Sequence, residues 1–113
     1  MEGFSVTIKL MAKKQNKLVR DKVPEILDNK GLKYSVHVAD DNEYWEKLKA
    51  KLQEEVEEYI NSEKEAELAD VLEVIEAIVR FKKIDLQALN KIKLEKAKQK
   101  GSFGKRIILE KVG

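Results

Sequence analysis

Between Asp40 and Lys83 the chain reads DDNEYWEKLKAKLQEEVEEYINSEKEAELADVLEVIEAIVRFKK, and the spacing of apolar and acidic residues in this stretch decides the fold. Asp40 followed three residues later by Glu43 is a capping-box pattern that opens a long helix reaching to about Ile60. Ser62 with Glu65 repeats the device, and a second long helix runs to about Lys83. So few residues separate the two that they must fold back as an antiparallel hairpin. Placing side chains at about 100° per residue with Leu48 at zero puts Trp45, Leu52, Val56 and Tyr59 on one buried stripe. Glu55 falls inside that stripe at about −20°, Glu58 borders it at about −80°, and Glu54 and Glu57 point away. On the second helix, with Leu68 at zero, Val71, Leu72, Val74, Ile75, Ile78, Val79 and Phe81 spread over about 180°. Glu67 lies within that arc at about −100°, Asp70 lies at its edge, and Glu73, Glu76 and Arg80 face solvent.

An ionised carboxylate in an apolar interior is costly unless it is paired, protonated or metal-bound. Glu58 and Glu67 sit about equally far from the turn, as do Glu55 and Asp70, so antiparallel packing gathers all four. Their oxygens suit Mg²⁺, with Mn²⁺ as the alternative, a cation that retains waters for a phosphate substrate. The competing explanation is structural: buried ion pairs with Lys51 or Lys82, as in many Glu-rich helices. Pairing of one carboxylate does not account for four in register, which favours the metal.

Outward from the hairpin, Asp21-Lys22-Val23-Pro24-Glu25 predicts a short helix to about Asn29 that stops at Gly31. Tyr34, Val36 and Val38 alternate as a short strand, Asp85 caps a further helix ending before Gly101, and Arg106–Val112 is rich in β-branched residues that would pair with Tyr34–Val38. Phe4, Val6, Ile8 and Leu10 also alternate, so residues 1–15 are expected to form an extension or strand arm ahead of one domain at 16–113. The expected class is all-α: an antiparallel helical bundle built on the long hairpin, with short β segments near the two ends.

At 113 residues, 39% of them charged, the chain suits one small domain and has no apolar run able to span a membrane. It lacks the apolar core and cleavage site of a secretory signal, so a cytoplasmic location is expected, with no membrane partner. Absence of cysteine excludes disulfides and thiolate metal sites, and the lone histidine, His37, is expected on an exposed strand face without a role. A net charge of +2 does not announce a nucleic-acid binder, and none is expected as a partner. Basic residues gather instead at Lys9–Lys22 and Lys91–Lys111, flanking the acidic Glu43–Glu76.

Glu54-Glu55-Val56-Glu57-Glu58 followed by Glu67-Leu68-Ala69-Asp70 resembles the EExxE…ExxD signature of the all-α, MazG-type nucleotide pyrophosphohydrolases. Asn16-Lys17-Leu18-Val19-Arg20-Asp21-Lys22-Val23-Pro24-Glu25 is similar to the opening of the small house-cleaning branch of that superfamily, and Gly101-Ser102-Phe103-Gly104-Lys105-Arg106 to its closing segment. The resemblance covers about Asn16 to Val112. It implies Mg²⁺-dependent hydrolysis of a nucleoside triphosphate, non-canonical ones included, between the α and β phosphates. By position it implies Glu55, Glu58, Glu67 and Asp70 as metal ligands, the same four that the helix angles select.

A carboxylate is also needed as base toward the attacking water, with Glu54 and Glu58 as candidates. A triphosphate needs cations as well, and Lys17, Arg20, Lys22, Lys105 and Arg106 are the candidates for substrate binding. Arg20 and Arg106 stand out because the chain has only three arginines. Phe103 is the better candidate than Trp45 for stacking on a base, since Trp45 has core spacing. The resemblance and the wide apolar arc of the second helix both imply a homodimer or homotetramer. Two other readings stand beside this one: the related phosphoribosyl-ATP pyrophosphohydrolase, against which the Lys17–Glu25 segment argues, and a non-catalytic helical interaction or nucleic-acid-binding module.

Overall fold

A computed structural model of the chain describes residues 16–113, and the expected strand arm at residues 1–15 lies outside them. All regular structure among the described residues is helical: α1 at Val23–Asn29, α2 at Asp41–Ser62, α3 at Glu65–Phe81 and α4 at Leu86–Lys100. The described residues divide into two compact units, a first up to Ile78 and a second at Val79–Gly113.

Each helix of the first unit begins and ends for a local reason. Pro24 sits in the first turn of α1, where its missing N–H costs nothing, and the chain leaves the helix through Gly31 at φ 68°. Asp40 caps α2, its carboxylate accepting a hydrogen bond from the Glu43 amide at 2.9 Å. α2 ends where Glu63 takes a left-handed conformation at φ 58° and donates its amide to the Tyr59 carbonyl. Ser62 does not open α3 as the capping-box pattern predicts. It is the last residue of α2, and its hydroxyl accepts from the Lys64 amide instead, while the Lys64 carbonyl takes the Glu67 and Leu68 amides. Only two residues part α2 from α3, and Glu55 of α2 lies against Glu67 and Asp70 of α3, so the chain reverses as the hairpin argument requires.

The core of this unit is small. Val23 of α1, Leu48 of α2 and Val74 of α3 are its buried apolar residues, and Glu55 is buried with them. One further feature holds the segment before α1: Lys47 on α2 donates to the Asn16 carbonyl at 2.8 Å.

In the second unit, α4 begins on Asp85, whose carboxylate accepts from the Gln87 and Ala88 amides, and ends at Gly101, whose amide donates to the Ala97 carbonyl.

The two expected β segments do not form. Tyr34–Val38 and Arg106–Val112 contain no strand among the described residues. β-branched alternation favours a strand only where a neighbour completes the hydrogen-bond ladder. Val36 and Val38 are exposed, and so are Ile107, Ile108 and Leu109. Tyr34 is held locally by a hydrogen bond to Asp28, which, ahead of burial and charge, raises the pKa of its phenol.

Because Leu48 is the one described side chain of its size sealed almost completely, Leu48→Ala is expected to cost roughly 3 kcal/mol. Asp40→Ala, which removes a single exposed cap, is expected to cost about 1 kcal/mol. Urea unfolding of the two variants checks this order.

Candidate metal centre

Helical spacing and the tight turn place five carboxylates together. Glu54, Glu55 and Glu58 on α2 each bring one oxygen within 4.8 Å of the others, and Glu55, Glu67 and Asp70 do the same across the two helices. Glu55 belongs to both groups and is the buried member, 3% exposed, while the others are half-buried. The second oxygen, Oε2, of Glu55, Glu58 and Glu67 is shut from solvent and accepts no hydrogen bond, although each of these side chains has further interactions.

Three cations answer them. Lys51, one turn before the motif on α2, reaches Glu54 Oε1 and Glu55 Oε1, each at 3.3 Å. Lys17 lies 3.2 and 3.3 Å from the two oxygens of Glu54. Arg20 donates to Asp70 Oδ1 at 2.6 Å and holds its other nitrogen 3.6 Å from Glu73. The segment before α1 therefore crosses the hairpin, tied to α2 through Lys17 and to α3 through Arg20.

These contacts move the proton equilibria. Burial pushes the pKa of Glu54 up, but the charge of Lys51 and the hydrogen bond and charge of Lys17 outweigh it, so Glu54 is held below the usual carboxylate range. Burial alone would ease the proton off Arg20, whereas its hydrogen bond to Asp70 and the charges of Asp70, Glu73 and Glu55 raise its pKa.

The site thus collects Glu54, Glu55, Glu58, Glu67, Asp70, Lys17 and Arg20. Glu54 departs from the sequence reading: helical angle turns it away from the apolar stripe, yet two lysines draw it to 22% side-chain exposure. Glu73 is exposed, as its place on the solvent face predicts, and lies 3.6 Å from Arg20. Lys51 was legible from its spacing of three and four residues from Glu54 and Glu55, and it pairs as the structural explanation requires, for one of Glu55's two oxygens. Lys22 is exposed at the N-cap of α1. Phe103, Lys105 and Arg106 belong to the second unit, where they line a shallow hollow of about 280 Å³, with Phe103 95% exposed. His37 is exposed but not idle, its Nε2 lying 2.9 and 3.0 Å from the Glu43 oxygens.

Beside the carboxylates, the first unit holds a groove of about 900 Å³. Its walls include Leu18, Val19, Val23 and Leu27, the stretch from Lys33 to Ala39, and Tyr44. Lys17 and Arg20 line this groove while their cationic ends rest on Glu54 and Asp70, so groove and carboxylates share a wall.

No family model, curated protein or solved structure matches the chain. Among the described residues no helix is long and apolar enough to cross a membrane.

The lowered pKa of Glu54 fixes a sign. Its contribution to stability is complete above the unfolded carboxylate value, about 4.3, and is lost as pH falls through the lower folded value. Urea unfolding of the metal-free protein across that acid range should show wild type losing stability more steeply than Glu54→Gln.

Proposed function

We propose that the protein is a Mg²⁺-dependent nucleoside triphosphate pyrophosphohydrolase, cleaving between the α and β phosphates to give the monophosphate and pyrophosphate. The observation that carries this reading is the position of Glu55, whose carboxylate lies within reach of Glu54 and Glu58 on one side and of Glu67 and Asp70 on the other. An all-oxygen donor set fits a hard cation such as Mg²⁺ or Mn²⁺. The likeness of the acidic motif and its two flanking segments to MazG-type enzymes supports the same assignment.

Glu55, Glu58, Glu67 and Asp70 would hold the cation. Bound there, Mg²⁺ would neutralise phosphate charge and make a nearby water more acidic. Glu54 and Glu58 are the two candidates for base, and Lys51 and Lys17, which hold the pKa of Glu54 down, make Glu54 a weaker proton acceptor than a free carboxylate. Lys17 and Arg20 supply positive charge for the phosphates, Arg20 through a planar fork of donors. The groove alongside, about 900 Å³ and bordered by Tyr34 and Tyr44, has the size and mixed lining of a small-molecule site and would take the nucleoside.

A homo-oligomer completes this reading. Val56 and Ile60 on α2, with Leu68, Leu72 and Ile75 on α3, leave an apolar face exposed on the hairpin, and a second hairpin packed on it would build the bundle.

Chromatography of products from a panel of canonical and modified triphosphates with Mg²⁺ tests the activity. Monophosphate and pyrophosphate are expected from wild type and not from Glu67→Gln. Diphosphate with orthophosphate would overturn the assignment by showing cleavage between the β and γ phosphates, and no turnover would overturn it in favour of the related phosphoribosyl-ATP enzyme or a non-catalytic helical module. Light scattering behind gel filtration tests the assembly: Leu72→Glu should reduce the mass from that of an oligomer to that of a single chain.

A further inference from the structure

Arg20 occupies two places in the first unit. Its guanidinium lies against Asp70 at 2.6 Å and near Glu73 at 3.6 Å, while the residue also forms part of the groove wall. Resting on the metal reading above, we propose that Arg20 is an exchangeable counter-ion: it neutralises Asp70 in the metal-free protein, gives way when a divalent cation enters, and passes to the phosphates of the incoming nucleotide.

The three site cations are not equivalent, and the differences single out Arg20. Lys51 is part of α2, is 17% exposed at its side chain, and bridges two carboxylates of its own helix, so it is a fixed counter-ion. Lys17 is similarly enclosed at 19% and spans both oxygens of Glu54. Arg20 is 53% exposed, and both of its carboxylate partners lie on the far helix. Its backbone is anchored independently, by the bond from Lys47 to Asn16 on one side and by the buried Val23, whose amide donates to the Arg20 carbonyl, on the other. The guanidinium can therefore turn about its own side-chain bonds without disturbing packing.

A dication and a guanidinium compete for the charge of Asp70, since each stabilises the same carboxylate and they repel one another. Once displaced, the guanidinium stays beside the groove, where its planar donors match a phosphate. Metal uptake thus arms the phosphate-binding group, and metal and phosphate assist each other beyond their direct contact.

The test measures binding alone. Mn²⁺ affinity is read from the electron paramagnetic resonance of the free ion, and affinity for inorganic tripolyphosphate, a base-free probe, is read by calorimetry with and without Mn²⁺. Arg20→Gln should bind Mn²⁺ roughly threefold to fivefold more tightly than wild type, the range a screened, half-exposed ion pair supports. The same variant should lose most of the gain in tripolyphosphate affinity that Mn²⁺ gives wild type. Arg20→Met, which keeps an apolar stem on the groove wall, should repeat both effects if the Gln variant folds poorly. Unchanged or weaker Mn²⁺ binding in these variants, with wild type binding Mn²⁺, would overturn the exchange and make Arg20 a fixed support for Asp70. Absence of Mn²⁺ binding in wild type would overturn the exchange and the metal reading together.

Discussion

The carboxylate of Glu55, buried at the seam of α2 and α3, is the constraint around which the first unit is arranged. Charge of this kind is tolerated in an interior only when oppositely charged or hydrogen-bonding groups surround it. Lys51 supplies part of that surround from one turn away on the same helix. Four further carboxylates press on the same place, Glu54 and Glu58 from α2 and Glu67 and Asp70 from α3, in sets that share Glu55 and lie within 4.8 Å, so the local excess of carboxylate draws in Lys17 and Arg20 from outside the hairpin. The segment before α1 is thereby tied across both helices, and the groove follows from where that segment lies.

Stability and the proposed cation site would pull against one another at this seam. A hairpin with Leu, Val or Ile in place of Glu55 and Glu67 would bury more apolar surface and need no counter-ions, and replacing buried ion pairs by hydrophobic groups is often stabilising. The chain instead has few sealed apolar residues in this unit, Val23, Leu48 and Val74, and leaves Leu72 and Ile60 exposed on the hairpin. Under the proposed reading, acidic oxygens held for a cation would come at the expense of packing, which the proposed association with a second copy would recover.

The sequence carried the helices well because their boundaries rest on local chemistry. Asp40 and Asp85 are caps in the structure as their spacing predicts, and Pro24 and Gly31 bracket α1. Helical angle also placed Glu55 inside, since an angle depends only on the helix itself. What angle could not give is the response of a side chain to charges from elsewhere: Glu54 is turned inward by Lys17, thirty-seven residues away, and Glu73 is engaged by Arg20. The Tyr34–Val38 and Arg106–Val112 runs failed as strands for a related reason, because a strand needs a partner and alternation cannot say whether one arrives. The groove wall that Tyr34–Val38 forms instead depends on the position of α1 and α2, which no local pattern encodes.

The central claim is that the carboxylates around Glu55 form a cation site rather than a set of structural ion pairs. Thermal unfolding of wild type and Glu55→Gln, followed across a Mn²⁺ titration at constant ionic strength, tests it most directly. A native-state site raises the melting temperature of wild type progressively with Mn²⁺ concentration, because the cation binds the folded protein alone, and leaves Glu55→Gln nearly unmoved. A wild-type melting temperature indifferent to Mn²⁺, with Glu55→Gln as stable as wild type or more so, would contradict the account and leave the cluster a structural one.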